Sequence, residues 1–389
     1  MRRPPEGSNP RPESRAAGMI GSGWVPAALA LVALSASCSD PPSDQSTEPA
    51  TQSPPALAEP LIPSAATTPH GRRPTSGRGT VTLGFAGDLH FEYHLAALLR
   101  HPATALRSIA PALRRPDLMM VNLETAITGR GNPEPKDYHF RTSSRALQVL
   151  DAAGVDVVSL ANNHAVDYGA VGLRDTLAAV RQSPIEVVGI GKGAAVAFRP
   201  AEFSVDGTRI AVLAATTRPD RTALAWSAGP DRPGVAVAIR PGPPRMVRAV
   251  RAAADRADVV VVFLHWGMEY QACPSAQQRL QARAMAAAGA DVVVGSHAHV
   301  LLGAGWLADT YVDYGLGNFV WYNQNSVSTG ILTLTVRDGR VVADHFSPAD
   351  IQPNGLPRLL RGEQRTGAVA NWQQLRGCTD LAPHRTPED

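Results

Sequence analysis

The sequence predicts an α/β domain built in layers, with a largely parallel sheet interior. Short runs rich in Val, Leu and Ala are apolar on both faces, and segments of helical period lie between several of them. Polar side chains follow the runs at the point where each one ends. Strands that are covered by helices on both faces show this pattern, and ligands of open α/β sheets bind at the carboxyl ends of the strands.

The apolar runs predict the strands of the domain. They are TVTLGFAGD (80–88), DLMMVNLE (117–124), VDVVSLANN (155–163), IEVVGIG (185–191), RIAVLAA (209–215), ADVVVVFLHWG (257–267), ADVVVGSH (290–297), YVDYGLGNF (311–319), GILTLTV (330–336) and residues 340–345. Asp338-Gly339 joins the last pair, which predicts a β-hairpin at the end of a sheet.

Segments rich in Ala and Leu predict the helices between these strands. They are residues 94–114, 143–153, 170–182, 244–256 and 275–288. Residues 80–350 therefore form the predicted domain. The chain beyond residue 350 is polar and contains proline, so we expect residues 351–389 to be a tail with little regular structure.

Residues 1–38 predict an export signal. Arginines are followed by the apolar run Val25–Ala36, which is shorter than the ~20 residues that span a bilayer. The small residues before Cys38 resemble a bacterial lipoprotein cleavage site, in which that cysteine would be acylated, although Leu34 lies one place further from it than usual. An uncleaved signal anchor is the alternative, and it also leaves the domain outside the membrane.

Residues 39–79 are rich in Pro, Ser, Thr and Ala and have almost no aromatic side chains. Such a segment buries too little apolar surface to offset the entropy of ordering, so it predicts a disordered tether. Cys273 and Cys378 remain beside Cys38, and the sequence leaves open whether they pair. Neither lies in a CxxC motif, which argues against a cysteine-bound zinc.

The composition places the chain among globular proteins and argues against a nucleic-acid partner. Hydrophobic residues make up 44% of the 389 positions, which is enough for a sizeable core. The formal net charge is only +3, and the basic residues are scattered along the chain.

Metal-ligating residue types are concentrated at the predicted strand ends. The candidate ligands are Asp88, His90, Glu124, Asn163, His265, His297 and His299. A helix cap can explain Asp88, and a turn can explain Asn162-Asn163, without any metal. Such explanations account for one strand end at a time, so the polar cluster at each further strand end would need a separate cause. Histidine, carboxylate and amide ligands suit Mn, Fe or Zn, and this many ligands suit two divalent ions that share a carboxylate.

GDLHFE, VNLETAI, SLANNHAVDYG, FLHWGMEY, GSHAHVL and YGLGNF occur in this order over residues 80–345. In these motifs the chain resembles the bacterial capsule-synthesis family associated with poly-γ-glutamate (CapA-like), which is similar in turn to the calcineurin-like metallophosphoesterases. The resemblance implies a four-layer αββα sandwich. Ala298 and Leu302 stand where the family usually has proline and often has glutamine.

The resemblance also implies a role for each candidate. It assigns Asp88, His90 and His299 to one metal, Asn163, His265 and His297 to the other, and Glu124 to the bridging position. His164 matches the catalytic histidine, which donates a proton or stabilises an oxyanion. Arg141 in DYHFRTS matches a basic position and is either a substrate anchor or a surface residue, while Asp167 and Glu269 would orient histidines or loops.

These features predict an exported, cell-envelope-associated metal-dependent hydrolase, with an anionic polymer or a phosphoester as substrate. The alternative is a non-catalytic component of a capsule synthesis and export complex, held at the membrane by its N-terminus. A secreted binding protein with incidental histidines is a third interpretation.

Overall fold

The computed structural model describes residues 79–240, 242–322 and 326–385. The predicted export segment 1–38 with Cys38, and the predicted tether up to residue 78, lie outside the described residues. The strands β1 to β18 are Val81–Leu89, Leu118–Leu123, Ala126–Ile127, Arg141–Thr142, Val157–Ser159, Glu186–Val188, Ile190–Gly191, Ala201–Val205, Thr208–Thr216, Gly234–Val235, Val259–His265, Val292–Ser296, Ala304–Leu307, Thr310–Asp313, Asn318–Val320, Ser328–Arg337, Arg340–Ile351 and Pro357–Leu359.

The α-helices α1 to α8 are Ala110–Leu113, Arg145–Ala153, Gly169–Arg181, Ala194–Ala197, Arg221–Ala225, Pro244–Ala254, Ala276–Ala287 and Gly362–Gln374. The 3₁₀ helices are Tyr93–Arg100, Pro102–Thr104 and Leu375–Cys378.

Two large sheets form the centre of the molecule. The first has eight strands in the order β18-β17-β16-β1-β2-β5-β6, with β15 beside β1. In it, β15, β1, β2, β5 and β6 are parallel, and β16 to β18 run antiparallel to their neighbours. The second has six strands in the order β13-β14-β12-β11-β9-β8, and only its edge pairs are antiparallel.

The sheets pack face to face with helices outside them. Val261 and Phe263 of β11 share an apolar cluster with the first sheet. Val262 and Leu264, which point the other way because side chains alternate along a strand, pack with helices α6 and α7. Helices α2 and α3 cross between parallel strands of the first sheet and cover its other face. The layer order is helix, sheet, sheet, helix, which confirms the four-layer αββα fold.

Most predicted elements are found close to their predicted positions, and the hairpin at Asp338-Gly339 joins β16 to β17. The segment 311–319 contains two short strands, since the chain turns at Gly317, which has φ of +63°. The prediction of a helix over residues 94–114 was wrong. This stretch forms 3₁₀ turns and the short α1, because Pro102 has no N–H to donate and disfavours helical backbone in the residue before it.

The expectation of little regular structure beyond residue 350 was also wrong. There β17 ends, β18 adds a strand to its edge, and α8 packs on β17. Trp372 of α8 stacks on Phe346 with ring centroids 4.7 Å apart. A mostly exposed helix held by one buried aromatic side chain leaves little periodic signal in the sequence.

Cys273 and Cys378 form a disulfide bond between residues 105 positions apart. The bond ties the end of the chain to the loop that follows β11. Within the described ranges, no helix has both the length and the apolar character needed to cross a lipid bilayer.

Candidate metal centre

The site lies where the carboxyl ends of β1, β2, β11 and β12 meet, because the central strands of both sheets end at the same edge of the sandwich. Asp88 at the end of β1 links the sheets through both carboxylate oxygens. Its Oδ1 accepts a hydrogen bond from Asn122 Nδ2 at 2.8 Å, and its Oδ2 accepts one from the backbone N–H of His297 at 3.0 Å. The aspartate therefore sets the position of the loop after β12.

The structure brings six of the seven candidate ligands together. One ligand atom each from Glu124, His297 and His299 lies within 4.8 Å of the others. The same holds for Asp88, Glu124 and His265. Glu124 belongs to both groups, so one carboxylate contributes to each of them.

Asn163 joins the second group through His265. The Oδ1 atom of Asn163 lies 2.6 Å from Nε2 of His265. The other ring nitrogen, Nδ1, faces Ser296 Oγ at 3.0 Å and Asn122 Nδ2 at 3.3 Å. The contacts at Nδ1 therefore aim Nε2 into the centre, where an amide oxygen and an imidazole can share one ion.

Unsatisfied buried atoms give a test of whether these residues fit metal ions. Both carboxylate oxygens of Glu124 and both ring nitrogens of His297 are buried and have no hydrogen-bond partner among the described residues. Leaving a buried polar group unpaired costs about 1–3 kcal/mol, and more for a charged group. One nitrogen of His297 lies within 4.8 Å of a Glu124 oxygen and a His299 nitrogen. The donor set is the one that Mn, Fe or Zn prefers, so the residues fit such ions.

Electrostatics favour the ligand forms of the histidines. Burial lowers the pKa of His265 and His297 well below the usual range, and neighbouring histidines lower both pKa values further. Neutral imidazole is the form that binds a metal. Burial raises the pKa of Glu124 well above its usual range, and the carboxylate of Asp88 adds to the rise. A cation beside the two carboxylates would oppose this rise and favour the ionised form of Glu124.

His90 lies outside both ligand groups. Its Nδ1 accepts a hydrogen bond from the N–H of Glu92 at 3.1 Å, and its ring stacks on Phe140 and meets the edge of Trp321. Its Nε2 is buried and has no hydrogen-bond partner among the described residues, as is the case for the ring nitrogens of His297. His90 therefore stays a predicted ligand that stands beside the two groups.

His164 points its Nε2 atom at the centre. Nε2 lies 3.8 Å from Glu124 Oε1, while Nδ1 lies 2.6 Å from Asp167 Oδ2. Phe140 stacks on the ring at 4.2 Å. Burial lowers the pKa of His164, and the Asp167 carboxylate opposes this effect. The aspartate thus lies where it orients the ring, as the sequence motif implied.

Lys136 completes this arrangement, and the sequence analysis missed it. Its Nζ donates hydrogen bonds to Asp167 Oδ1 and to the backbone carbonyl oxygen of Asn163, both at 2.8 Å. It therefore holds the carboxylate that orients His164 and the backbone of a candidate ligand. A signal was present, because lysine occurs only at 136 and 192 in a chain whose other long cationic side chains are arginine.

The two remaining candidates lie at the rim. The guanidinium of Arg141 packs over the ring of Tyr168 at 4.4 Å, and its side chain is exposed. Glu269 Oε1 lies 4.0 Å from Nε2 of His297, and its side chain is 45% exposed. Glu269 can thus contact a ligand histidine, whereas Arg141 is available to a substrate outside the centre.

Comparisons with known proteins show which sequences this chain is similar to. The family model of bacterial capsule synthesis protein PGA_cap matches residues 82–323. PGA biosynthesis protein CapA of Bacillus subtilis is 32% identical over 246 residues, which are 62% of this chain and 63% of that protein. Capsule biosynthesis protein CapA of Bacillus anthracis is 31% identical over 287 residues, which are 72% of this chain and 69% of that protein.

Among solved structures, a phosphatase from Mycoplasma pneumoniae aligns with 70% of this chain and 94% of its own, at 12% identity and a TM-score of 0.43. The chain spans just under two thirds of the Bacillus subtilis relative. The family match, in contrast, covers more than half of this chain and contains every candidate ligand. The chain belongs to the bacterial capsule synthesis protein PGA_cap family.

Proposed function

We propose that the chain is an exported metal-dependent hydrolase that cleaves a phosphoester or a γ-glutamyl amide during capsule or poly-γ-glutamate synthesis. One observation carries the proposal. Glu124 is buried, belongs to both ligand groups and has no hydrogen-bond partner for either carboxylate oxygen within the described residues. A carboxylate in that position destabilises the fold unless cations lie beside it.

Two divalent ions would be held by the six converging side chains. They are Asp88, Glu124, Asn163, His265, His297 and His299. Such ions supply Lewis-acid polarisation of the attacked phosphoryl or carbonyl group. Mn, Fe and Zn are the ions that the ligand set favours.

The proton chemistry belongs to His164 in this proposal. Its Nε2 faces the centre and can give a proton to the leaving group. Asp167 stabilises the protonated ring through Nδ1, and Lys136 holds Asp167 in place. In this proposal the exposed guanidinium of Arg141, which packs over Tyr168, binds an anionic part of the substrate.

The disulfide supports the proposed location outside the cytoplasmic membrane. Disulfide bonds persist in oxidising compartments and are rare in the cytosol. The Cys273–Cys378 bond therefore agrees with the basic and apolar N-terminal segment, which has the pattern of an export signal. In this proposal, acylation of Cys38 or an uncleaved signal holds the domain at the envelope.

The experiment is an activity and metal analysis of the full chain. It is purified with manganese and assayed on a phosphodiester and on a γ-glutamyl polymer, beside the variant His164→Ala. We expect bound metal in both proteins and hydrolysis of one substrate that the variant loses by roughly 10²–10⁴-fold. No metal and no hydrolysis would contradict the proposal.

A second candidate function is a non-catalytic component of a polymer synthesis and export complex. Both Bacillus relatives are named for biosynthesis rather than for hydrolysis. Deleting the gene and restoring it as His164→Ala separates the candidates. Full recovery of surface polymer by that allele would favour the non-catalytic role, and loss of polymer despite normal protein levels would favour the hydrolase.

A further inference from the structure

Part of the helical layer outside the first sheet carries unbalanced positive charge. This part consists of the 3₁₀ helices Tyr93–Arg100 and Pro102–Thr104 together with α1 and α2. Residues 93–116 and 138–150, which form most of it, have six arginines and no aspartate or glutamate. The six are Arg100, Arg107, Arg114, Arg115, Arg141 and Arg145. Their formal charge of +6 exceeds the +3 of the whole chain, so the other residues carry a net charge of −3.

Contacts between these elements bring the six arginines, which are spread over the sequence, onto one surface. Arg145 Nη1 donates a hydrogen bond to the carbonyl oxygen of Leu99 at 3.2 Å, so α2 begins beside the end of the first 3₁₀ helix. The guanidinium of Arg114 donates one to the carbonyl oxygen of Ala152, so α1 and α2 end side by side. All six arginines are exposed. We call this surface the basic strip.

The basic strip contains a groove. A cavity of about 110 Å³ lies between the second 3₁₀ helix, α1 and α2. Pro102, Leu106 and Ala152 supply apolar walls, and Arg107 and Arg114 line the same cavity. A groove with charged and apolar walls can hold an extended chain, because the arginines meet its charges while the walls contact its methylene groups.

The basic strip begins at the metal centre. The ring of Phe140 stacks on that of His164, with centroids 4.2 Å apart. Arg141 is the next residue, and its guanidinium packs over the ring of Tyr168. Its backbone N–H donates a hydrogen bond to Glu92 Oε1 at 2.7 Å, so the carboxylate at this end of the strip is held by the backbone. From here α2 extends the strip by about 14 Å, so a chain bound along it passes beside His164.

The arginines of the basic strip lack the ion pairs that other arginines of this chain form. Arg130 pairs with Asp175, and Arg209 pairs with Asp258. Within the part of the chain that the structure describes, none of the six strip arginines forms an ion pair with a carboxylate. A guanidinium binds a carboxylate through two parallel hydrogen bonds. A row of unpaired guanidinium groups therefore suits a ligand that supplies several carboxylates.

The other side chains of the strip narrow the kind of polyanion. Residues 94–116 and 141–150 contain no Phe, Tyr or Trp, whereas proteins that bind single-stranded nucleic acids stack the bases on aromatic rings. None of these residues is an exposed large apolar side chain, whereas helices that lie on membranes insert such side chains. The strip therefore suits a flexible polyanion that has neither bases nor acyl chains.

We propose that the basic strip is a docking surface for a linear polymer of carboxylates and holds one segment of that polymer beside the metal centre. The choice of carboxylates over phosphates rests on the γ-glutamyl alternative of the proposed function. Binding to the strip itself needs neither metal nor turnover. It can therefore be measured separately from hydrolysis.

The test compares Arg100→Gln/Arg107→Gln in the full chain with the matched control Arg248→Gln/Arg251→Gln. All four arginines are exposed, and the control pair lies on α6, which packs on the second sheet. Binding of an oligo-γ-glutamate of about ten residues, longer than α2, is measured by calorimetry with a chelator present. We expect the strip variant to bind roughly tenfold more weakly, about threefold for each lost contact, and the control to bind as the native chain does. Both variants should melt at the native temperature.

Equal binding of the oligomer by the native chain and the strip variant, or an equal loss in the control, would overturn the proposal. So would strip-dependent binding of polyphosphate or of vesicles with anionic lipid by a chain that does not bind oligo-γ-glutamate. Strip-dependent binding of the oligomer by a protein that hydrolyses nothing would support the strip and contradict the hydrolase. Hydrolysis of a long γ-glutamyl polymer with the same KM in the strip variant would contradict the strip alone.

Discussion

Replacing Glu124 with glutamine tests the metal centre most directly. The side chain is fully buried, and the nearest ring nitrogens are Nε2 of His265 at 3.5 Å and Nε2 of His164 at 3.8 Å from its Oε1. Without metal, Glu124→Gln removes an ionisable group whose pKa burial has raised, at nearly constant volume. With metal, it removes the carboxylate that both ligand groups share. The substitution should therefore have different consequences in the two conditions.

The magnitudes follow from the unpaired oxygens. The amide is still a buried polar group but cannot ionise, so the metal-free variant should be at least as stable as the native chain, with a free energy of unfolding higher by up to about 1–3 kcal/mol. Metal at a hundredfold excess over its Kd stabilises the native chain by about 2.7 kcal/mol. If the variant binds roughly a hundredfold more weakly, the same metal concentration adds only about 0.4 kcal/mol to it. Added metal should thus remove most of the variant's advantage.

The assay is urea unfolding of the full chain, first with a chelator and then with Mn²⁺ or Zn²⁺. Glu202→Gln is the matched control, since Glu202 is exposed and lies 4.0 Å from Arg256. It should change the free energy of unfolding by less than about 0.5 kcal/mol in both conditions. The reasoning is refuted if Glu124→Gln destabilises the metal-free chain and leaves the metal-induced gain unchanged.

Three further predictions concern stability. Cys273→Ser should lower the free energy of unfolding by about 3–5 kcal/mol, measured in urea without reductant, because the disulfide with Cys378 closes a loop of 105 residues. Adding reductant to the native chain should lower its free energy of unfolding by the same amount. Burial raises the pKa of Asp313 to about 8, so the folded chain keeps a proton that the unfolded chain loses above about pH 4. Stability should then fall by about 1.4 kcal/mol per pH unit as pH rises from about 4 towards 8. Asp313→Asn should lack this contribution, so the difference in the free energy of unfolding between the two proteins should change with that slope. Gly87→Ala should lower the free energy of unfolding by more than about 3 kcal/mol, since its Cβ would lie 1.8 Å from the carbonyl oxygen of Gly317. It should also abolish metal binding measured by calorimetry. A variant that melts at the native temperature would contradict this prediction.

The chain sequence predicted the class of fold and most of the strands because these depend on local patterns. Runs apolar on both faces marked the interior strands of both sheets, and Asp338-Gly339 marked a turn that needs positive φ at both residues, as the structure has. The same local criterion failed at 94–114, where proline interrupts a helical pattern, and at α8, which is held by the distant contact of Trp372 with Phe346.

Some features of the site could also be predicted from the sequence, and others could not. The sequence by itself determined which residue types end the strands, and hence that Asp88, Glu124 and the histidines meet at one edge, because parallel strands bring their carboxyl ends together. Only the tertiary structure decided how the ring of His265 is oriented, that His90 stands beside the two ligand groups, and how Lys136 reaches Asp167. These features depend on the stacking of two sheets and on hydrogen bonds between loops far apart in the chain, and neither leaves a periodic trace in the sequence.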